Sequence, residues 1–441
     1  MVRSRFAPSP TGFLHIGSLR TALYAYALAR AGGGSFILRV EDTDQKREVA
    51  GATRALQDTL HKFGLSWDEF YLQSDRHAQG IYQKSAEKLV ASGHAFYCDC
   101  PPKNAKTQGY STVLRDPCRD HHLTHGAIKL KVPDDLQISY YDFVHRKDIA
   151  WDSNTVYDAT LLKSDGFPTY HLAAMTDDLA MQVTHVLRGH DWLPSAPIHL
   201  LVFDFLGGPR PHIGHLTDIL SATTGKKLSK RRDSVFVENF LEEGYLPEAL
   251  LNFVMLLGWA PKDNRELFTL QEFVRSFDIA GFQEANPRFL PTKLNWFNGH
   301  YIRQQANTEL TQLVKPYVKS NLSDTQITQI LPLVKERMVK LSDFDILTSF
   351  FSTTPAYQAG LWSDPVSAAS HLAYAVAHFD QLSGTDIADK IKVQGWKVGD
   401  FFMSLRIAVC GSRATPPLTD VMRILGKVES LKRINSAIEN L

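Results

Sequence analysis

Arg5-Phe6-Ala7-Pro8-Ser9-Pro10-Thr11-Gly12-Phe13-Leu14-His15-Ile16-Gly17-Ser18 runs from a short strand through a Pro/Gly loop into a helix. An apolar stripe at Leu19, Leu23, Tyr26 and Ala27 carries that helix to Gly32, and Phe36-Ile37-Leu38-Arg39-Val40 supplies the next strand. A near-continuous apolar run beside a helix is the pattern of a strand buried in a parallel sheet, so the opening reads as a βαβ unit. At its turn the helix N-terminus presents free N–H groups and a partial positive charge, which suits a phosphate or a developing anion. Gly17 lets the backbone come close to a nucleotide, and His15 can donate to a phosphate oxygen. A turn histidine that only caps an ordinary helix fits the same residues equally well.

The chain has 441 residues, whereas single cores stop growing at roughly 250–300 residues, so several domains are expected. A hydrophobic share of 44% and a charged share of 22% exclude disordered and fibrous classes. With a formal charge of +1, a polyanionic partner must be held by local clusters of Lys and Arg. Met1 to Phe6 leads straight into a strand with no leader pattern, and the longest apolar stretch, Leu250 to Ala260, is too short to span a bilayer. A cytoplasmic protein without a membrane partner is expected.

From about Leu65 to Pro168 the pattern breaks into short pieces that read as an inserted module. The α/β pattern resumes with a strand at Met181 to Arg188 and a helix from Pro194 to Phe205. After Leu246 the chain turns helical, with a junction between Gln305 and Asp324. Ser323-Asp324-Thr325-Gln326 is a capping-box pattern opening a helix with Ile327, Ile330, Val334, Met338 and Leu341 on one face, which Pro332 is expected to kink or restart.

Gly225-Lys226-Lys227-Leu228-Ser229-Lys230-Arg231-Arg232 places five basic residues in one loop. Such a loop can neutralise the charge on a departing pyrophosphate, or simply be solvated. The four cysteines are Cys98, Cys100, Cys118 and Cys410, and the crowding of the first three reads as a metal site, not as a disulfide framework.

Taken together, His15-Ile16-Gly17-Ser18 and Lys227-Leu228-Ser229-Lys230-Arg231 resemble the HIGH and KMSKS signatures of class I aminoacyl-tRNA synthetases. Arg5 to Gly12, Leu38-Arg39-Val40-Glu41-Asp42-Thr43-Asp44 and Lys293-Leu294-Asn295-Trp296-Phe297-Asn298-Gly299 resemble the glutamyl-tRNA synthetase family in particular, over about residues 1–350. His212-Ile213-Gly214-His215 spells the same four letters but follows no Pro/Gly loop, and is set aside as an ATP site.

The resemblance implies an α/β fold with a Rossmann-type parallel-sheet catalytic domain over 1–235, carrying an acceptor-binding insertion at about 65–168. A stem-contact helical domain over 236–310 and an all-helical anticodon-binding domain over 311–441 follow. It implies ATP and Mg²⁺, with His15, Gly17, Ser18, Lys227, Ser229, Lys230 and Arg231 as catalytic residues; His15, Gly17 and Lys230 among them hold ATP. L-Glutamate falls to Arg5, Ala7, Ser9, Glu41, Tyr170 and Arg188: the two arginines and Tyr170 on the carboxylates, Ser9 and Glu41 on the amine. Where Ala174 stands the family usually has Asn, so a contact is lost or supplied elsewhere. Some members bind zinc in the insertion, which implies one Zn²⁺ on Cys98, Cys100 and Cys118; the family's ligand tyrosine is replaced by Leu114, leaving His121 first, then His122 or Tyr110, as fourth ligand. The partner is tRNA(Glu), with no DNA, and the chain is expected to be a monomer.

Three rivals fit less well. A glutaminyl-tRNA synthetase gains nothing from a cation at Arg188, a queuosine-glutamylating paralogue lacks the helical C-terminal half, and a dead scaffold has no need of His15, Lys227 and Lys230.

Overall fold

The computed structural model describes residues 1–44, 49–101, 113–228, 235–357 and 360–441. The chain divides into two compact units, Met1–Phe240 with Leu250–Pro291, and Leu241–Ala249 with Thr292–Leu441. The segment 236–310 read as a linker domain contributes to both.

The first unit is built on a seven-stranded sheet. Its strands are β1 (Arg3–Phe6), β2 (Ser35–Val40), β3 (Glu69–Leu72), β6 (Gln137–Asp142), β7 (Lys147–Asp152), β9 (His185–Gly189) and β10 (His212–Leu216), while β4 (Ala95–Cys98), β5 (Ala127–Leu130) and β8 (Thr160–Leu162) form a second, three-stranded sheet. The main order is β3-β2-β1-β9-β10-β6-β7, parallel throughout except for the β6–β7 hairpin. The stretch read as an insertion therefore supplies both edges of the main sheet as well as the smaller one. Ile128, Leu130, Leu161 and Leu162 of the smaller sheet share a core with Leu172, Ala173, Ile198 and Leu200, so the two sheets are covered by the same apolar packing.

Helix α1 (Ile16–Ala31) links β1 to β2 and ends at Gly32. Strand alternation fixes what each residue of β1 does: Ser4 turns to α1 and donates to the Ala25 carbonyl at 2.5 Å, while Arg5 points to the opposite face. The strand expected from Met181 begins four residues later, because Met181 caps the preceding helix and Gln182 takes a positive φ of 54°. Gly214 in β10 is required by close approach: a Cβ there would stand 2.7 Å from Phe143 and Val144.

The second unit is helical, with Asn307–Val314, Asp324–Val334, Pro365–Ala377, Val398–Cys410 and Leu418–Glu439 among its helices. The capping box forms as read, Ser323 and Gln326 bonding reciprocally. Pro332 is accommodated within the last turn; the helix ends at Val334, and Met338 and Leu341 are buried from the turn that follows. No described helix is long and apolar enough to cross a membrane.

Candidate active site

In an open parallel sheet a crevice opens where the strand order reverses, beyond the carboxyl ends of the strands. Here that point lies between β1 and β9, since β2 continues to one side of β1 and β10 to the other side of β9. A cleft of about 380 Å³ occupies this place, lined by Arg5, Ala7, Ser9, His15, Ser18, Glu41, Tyr170 and Arg188 together with Trp192. Every glutamate-pocket residue implied by the resemblance lies on its wall. The loop after β1 is tied to the end of β2 by the Glu41 amide, which donates to the Pro8 carbonyl at 2.9 Å.

Arg5, Arg39 and Arg188 project from one face of the sheet because the register pairs Arg5 with Ile37 and Ser4 with His185, which puts all three on the same side of the pleat. Two of them meet carboxylates there. Asp178, on the helix Tyr170–Ala180, accepts from Arg5 Nε at 3.1 Å and from Arg39 Nη1 at 2.6 Å, and Arg39 Nη2 also donates to Glu41 at 3.1 Å. Its neighbour Asp177 accepts from Arg76, Gln73 and Tyr82. Burial alone would raise the Asp178 carboxyl, but Arg5 and Arg39 hold it below the usual range. Glu41 is less compensated, and burial pushes it up to about 7 against the pull of Arg39 and Arg5.

Arg188 is different. It is buried at 5% exposure, and its ion-pair partners among the described residues are none. Nε donates to His215 Nε2 at 2.9 Å and Nη1 to His199 Nδ1 at 2.8 Å, while Nη2 meets no hydrogen-bond partner of ordinary geometry among the described residues, the Tyr170 hydroxyl adjoining the group. Burial lowers its pKa, opposed chiefly by the adjoining Tyr170. Tyr170 in turn stacks on Trp192 at 3.9 Å.

His15 caps α1, its Nδ1 accepting from the Gly17 amide at 3.0 Å, which leaves the ring proton on Nε2. Val235 and Val237 bracket this turn: Ile16 donates to the Val235 carbonyl and Val237 to that of Leu14, both at 2.9 Å. Lys227 pairs with Asp191 at 2.7 Å and Asp218 at 2.8 Å. Ser229, Lys230 and Arg231 lie outside the described residues.

With the cleft in place, the comparisons with known proteins agree. The family described as tRNA synthetases class I (E and Q), catalytic domain, matches residues 1–296, and an anticodon binding domain matches 309–438. A glutamate–tRNA ligase of Dehalococcoides mccartyi is 36% identical over all of this chain and 98% of its own length, and one of Finegoldia magna 34% identical over 99% of each. A glutamate tRNA ligase from Elizabethkingia meningosepticum, crystallised in complex with its amino acid, superposes with a TM-score of 0.90 at 32% identity, covering 100% of this chain and 99% of that one. The chain belongs to the glutamate–tRNA ligase family. It carries that family's two-part architecture, a parallel-sheet catalytic domain and a helical anticodon-binding domain.

Within this member of the glutamate–tRNA ligase family the cysteine cluster corrects one expectation. The donors that converge are Cys98, Cys100, Cys118 and Asp116, all within 4.8 Å of one another, and His121 is exposed outside the group. Asp116 caps the short turn Pro117–Asp120, accepting from the Cys118 amide at 2.9 Å, so the turn folds Asp116 and Cys118 towards Cys98 and Cys100 and leaves His121 outside the group. Tyr110 lies outside the described residues. Three thiols and a carboxylate suit tetrahedral zinc; burial and the adjoining thiols raise Cys118 to about 12, so a cation is what would keep the sulfurs as thiolates.

Ala174 is fully buried and is not among the residues lining the cleft. On the helix Tyr170–Ala180 it stands one turn from Tyr170, which does line the cleft, and one turn from Asp178, which holds Arg5. The residues that sequence reasoning missed are Asp178, His199 and His215, which carry no motif of their own. One of them lies in the discarded His212–His215 tetrapeptide. Asp178→Asn should remove the charge shared by Arg5 and Arg39 and lower stability by about 3–5 kcal/mol. Because the paired carboxyl sits below its unfolded value, that contribution is present at neutral pH and fades as acid protonates it; urea unfolding of wild type and variant, with the gap narrowing towards low pH, checks both.

Proposed function

We propose that this chain activates L-glutamate with ATP, releasing pyrophosphate, and transfers the glutamyl group to the 3′-terminal ribose of tRNA(Glu). The observation that carries the reading is the uncompensated charge of Arg188. Around the cleft Arg5 and Arg39 face Asp178 and Glu41, whereas Arg188 has no carboxylate at ion-pair distance among the described residues. Glutamate brings a net charge of minus one and glutamine none, so only the acid balances the pocket. Arg188 takes a carboxylate as its counter-ion, Arg5 and Tyr170 add hydrogen-bond donors to the carboxylates although the charge of Arg5 is balanced by Asp178, and Ser9 and Glu41 take the ammonium.

The glutamate α-carboxylate oxygen attacks the ATP α-phosphorus, breaking its bond to pyrophosphate. The terminal ribose hydroxyl of tRNA then attacks the carbonyl of the adenylate and displaces AMP. His15 Nε2 and the N-terminus of α1 stand at the phosphates, with Gly17 and Ser18 in the same turn and Lys227, Ser229, Lys230 and Arg231 drawing off the pyrophosphate charge. Magnesium, when bound with ATP, would add charge neutralisation there. Positioning and electrostatics account for most of the rate, and no protein nucleophile is needed. The smaller sheet receives the acceptor end, 236–310 the stem and 311–441 the anticodon; the protein works in the cytoplasm as a monomer. Cys98, Cys100, Cys118 and Asp116 would hold one structural zinc.

Arg188→Gln should raise the glutamate KM about a hundredfold, since stranding a buried carboxylate costs about 3 kcal/mol or more, while the ATP KM holds in pyrophosphate exchange. An equal loss for both substrates marks misfolding, and an unchanged glutamate KM refutes the reading. The glutamate KM of wild type should also climb as pH falls below about 7, where Glu41 takes up its proton and ceases to attract the ammonium, by at most about tenfold per pH unit; Glu41→Gln should flatten the profile. Elemental analysis of protein purified without chelator should find about one zinc per chain, and Asp116→Ala should weaken its retention about 10–100-fold.

A further inference from the structure

On the proposed reading of Arg188 as the carboxylate receptor, we propose that His199 and His215 are positioning residues that hold its guanidinium through neutral imidazole acceptors, so that its charge is left for the substrate. The protonation pattern follows from the geometry. A guanidinium has only donors, so the two ring nitrogens it touches, His215 Nε2 and His199 Nδ1, carry no proton. The remaining proton of His215 is then on Nδ1 and is donated to Asp142 Oδ2 at 2.7 Å. That carboxylate also accepts from Tyr140 Oη at 2.8 Å and from the Val144 and His145 amides at 3.0 Å. Asp142 is thereby satisfied one imidazole away from Arg188. On the other side His199 Nε2 donates to His171 Nδ1 at 3.0 Å, a chain made of neutral rings alone, whereas the first ends on the Asp142 carboxylate. Burial, with Arg188 adding to it, lowers His171 to about 4, and burial lowers His215 to about 4, so both remain neutral at physiological pH.

The same sheet face contains the contrasting arrangement. Arg5 and Arg39 are held by the carboxylate of Asp178, and their charge is spent within the protein. Arg188 receives an equally fixed orientation from uncharged groups. A carboxylate at either histidine position would anchor it as firmly and cancel what distinguishes glutamate from glutamine. His215 is placed for this by register alone, since it is the cross-strand neighbour of Arg188 in β10.

The test compares His199→Glu with His199→Gln in tRNA charging, using glutamate and glutamine as competing substrates. The Gln variant keeps an uncharged acceptor, whereas the Glu variant forms an internal ion pair with Arg188. The Glu variant should show a glutamate KM at least about tenfold above that of the Gln variant, and a glutamate-to-glutamine ratio of kcat/KM lower by a similar factor, with equal ATP KM. Identical values for the two variants would overturn the proposal. If His199→Glu does not fold, ¹⁵N spectra of the wild-type histidines decide: neutral rings with His199 protonated at Nε2 and His215 at Nδ1 support it, and doubly protonated rings at pH 7 refute it. Arg188→Gln measured alongside separates the two claims. A normal glutamate KM in that variant removes the carboxylate reading itself; a large rise there with no difference between the His199 variants removes only the role of the histidines.

Discussion

A guanidinium withdrawn from water without a carboxylate beside it is an expensive group to build, several kcal/mol after relaxation, and the catalytic unit is arranged around one. Arg188, on the wall of the cleft, is fixed by two imidazole lone pairs and has no carboxylate partner among the described residues. On the proposed reading, a bound carboxylate supplies a charge-assisted pair in a low-dielectric site, where such a pair is strongest.

The fold makes this possible by sorting charges along a single sheet face. Parallel pairing brings residues from three distant segments, Arg5, Arg39 and Arg188, to the same side of β1, β2 and β9, and the helix Tyr170–Ala180 lays Asp177 and Asp178 across them. Those acids neutralise the arginines of β1 and β2. They do not reach β9, where the next strand supplies His215 instead. On the proposed reading, specificity depends on where along the sheet the acidic helix stops, as much as on the arginine itself.

Much of this was legible in the chain before folding, but unevenly. The βαβ opening, the His15 turn and the capping box at Ser323 are local patterns whose partners lie within a few residues, and each formed where it was read. The pocket residues were legible only through family resemblance, since nothing local to Arg188 says that it is buried. Cross-strand partners were not legible. The His212–His215 tetrapeptide follows no phosphate loop, so nothing local marks His215, whose contact with Arg188 depends on a neighbour 27 positions away. Asp116 was overlooked beside His121 because histidine is the more familiar zinc donor, while the choice was made by a capped turn that only three-dimensional folding reveals. The strand at Met181 was read too long because apolar content does not register a left-handed residue such as Gln182.

An amide and a carboxylate have nearly the same shape, so a pocket that separates glutamate from glutamine cannot do so by volume. Hydrogen-bond donors alone discriminate weakly, because an amide oxygen also accepts them. What separates the two is a full unit of charge, and that charge is useful only if the protein has not already neutralised it. The design problem is therefore to orient a cation without pairing it. Neutral imidazoles suit the task, since they accept from a guanidinium, pass their own proton to a partner on the far side, and stay uncharged when buried. Glutamine bound there would leave Arg188 both desolvated and unpaired, which is the costly state. Selectivity of this kind needs no steric clash with the wrong amino acid, only the absence of an acid beside Arg188.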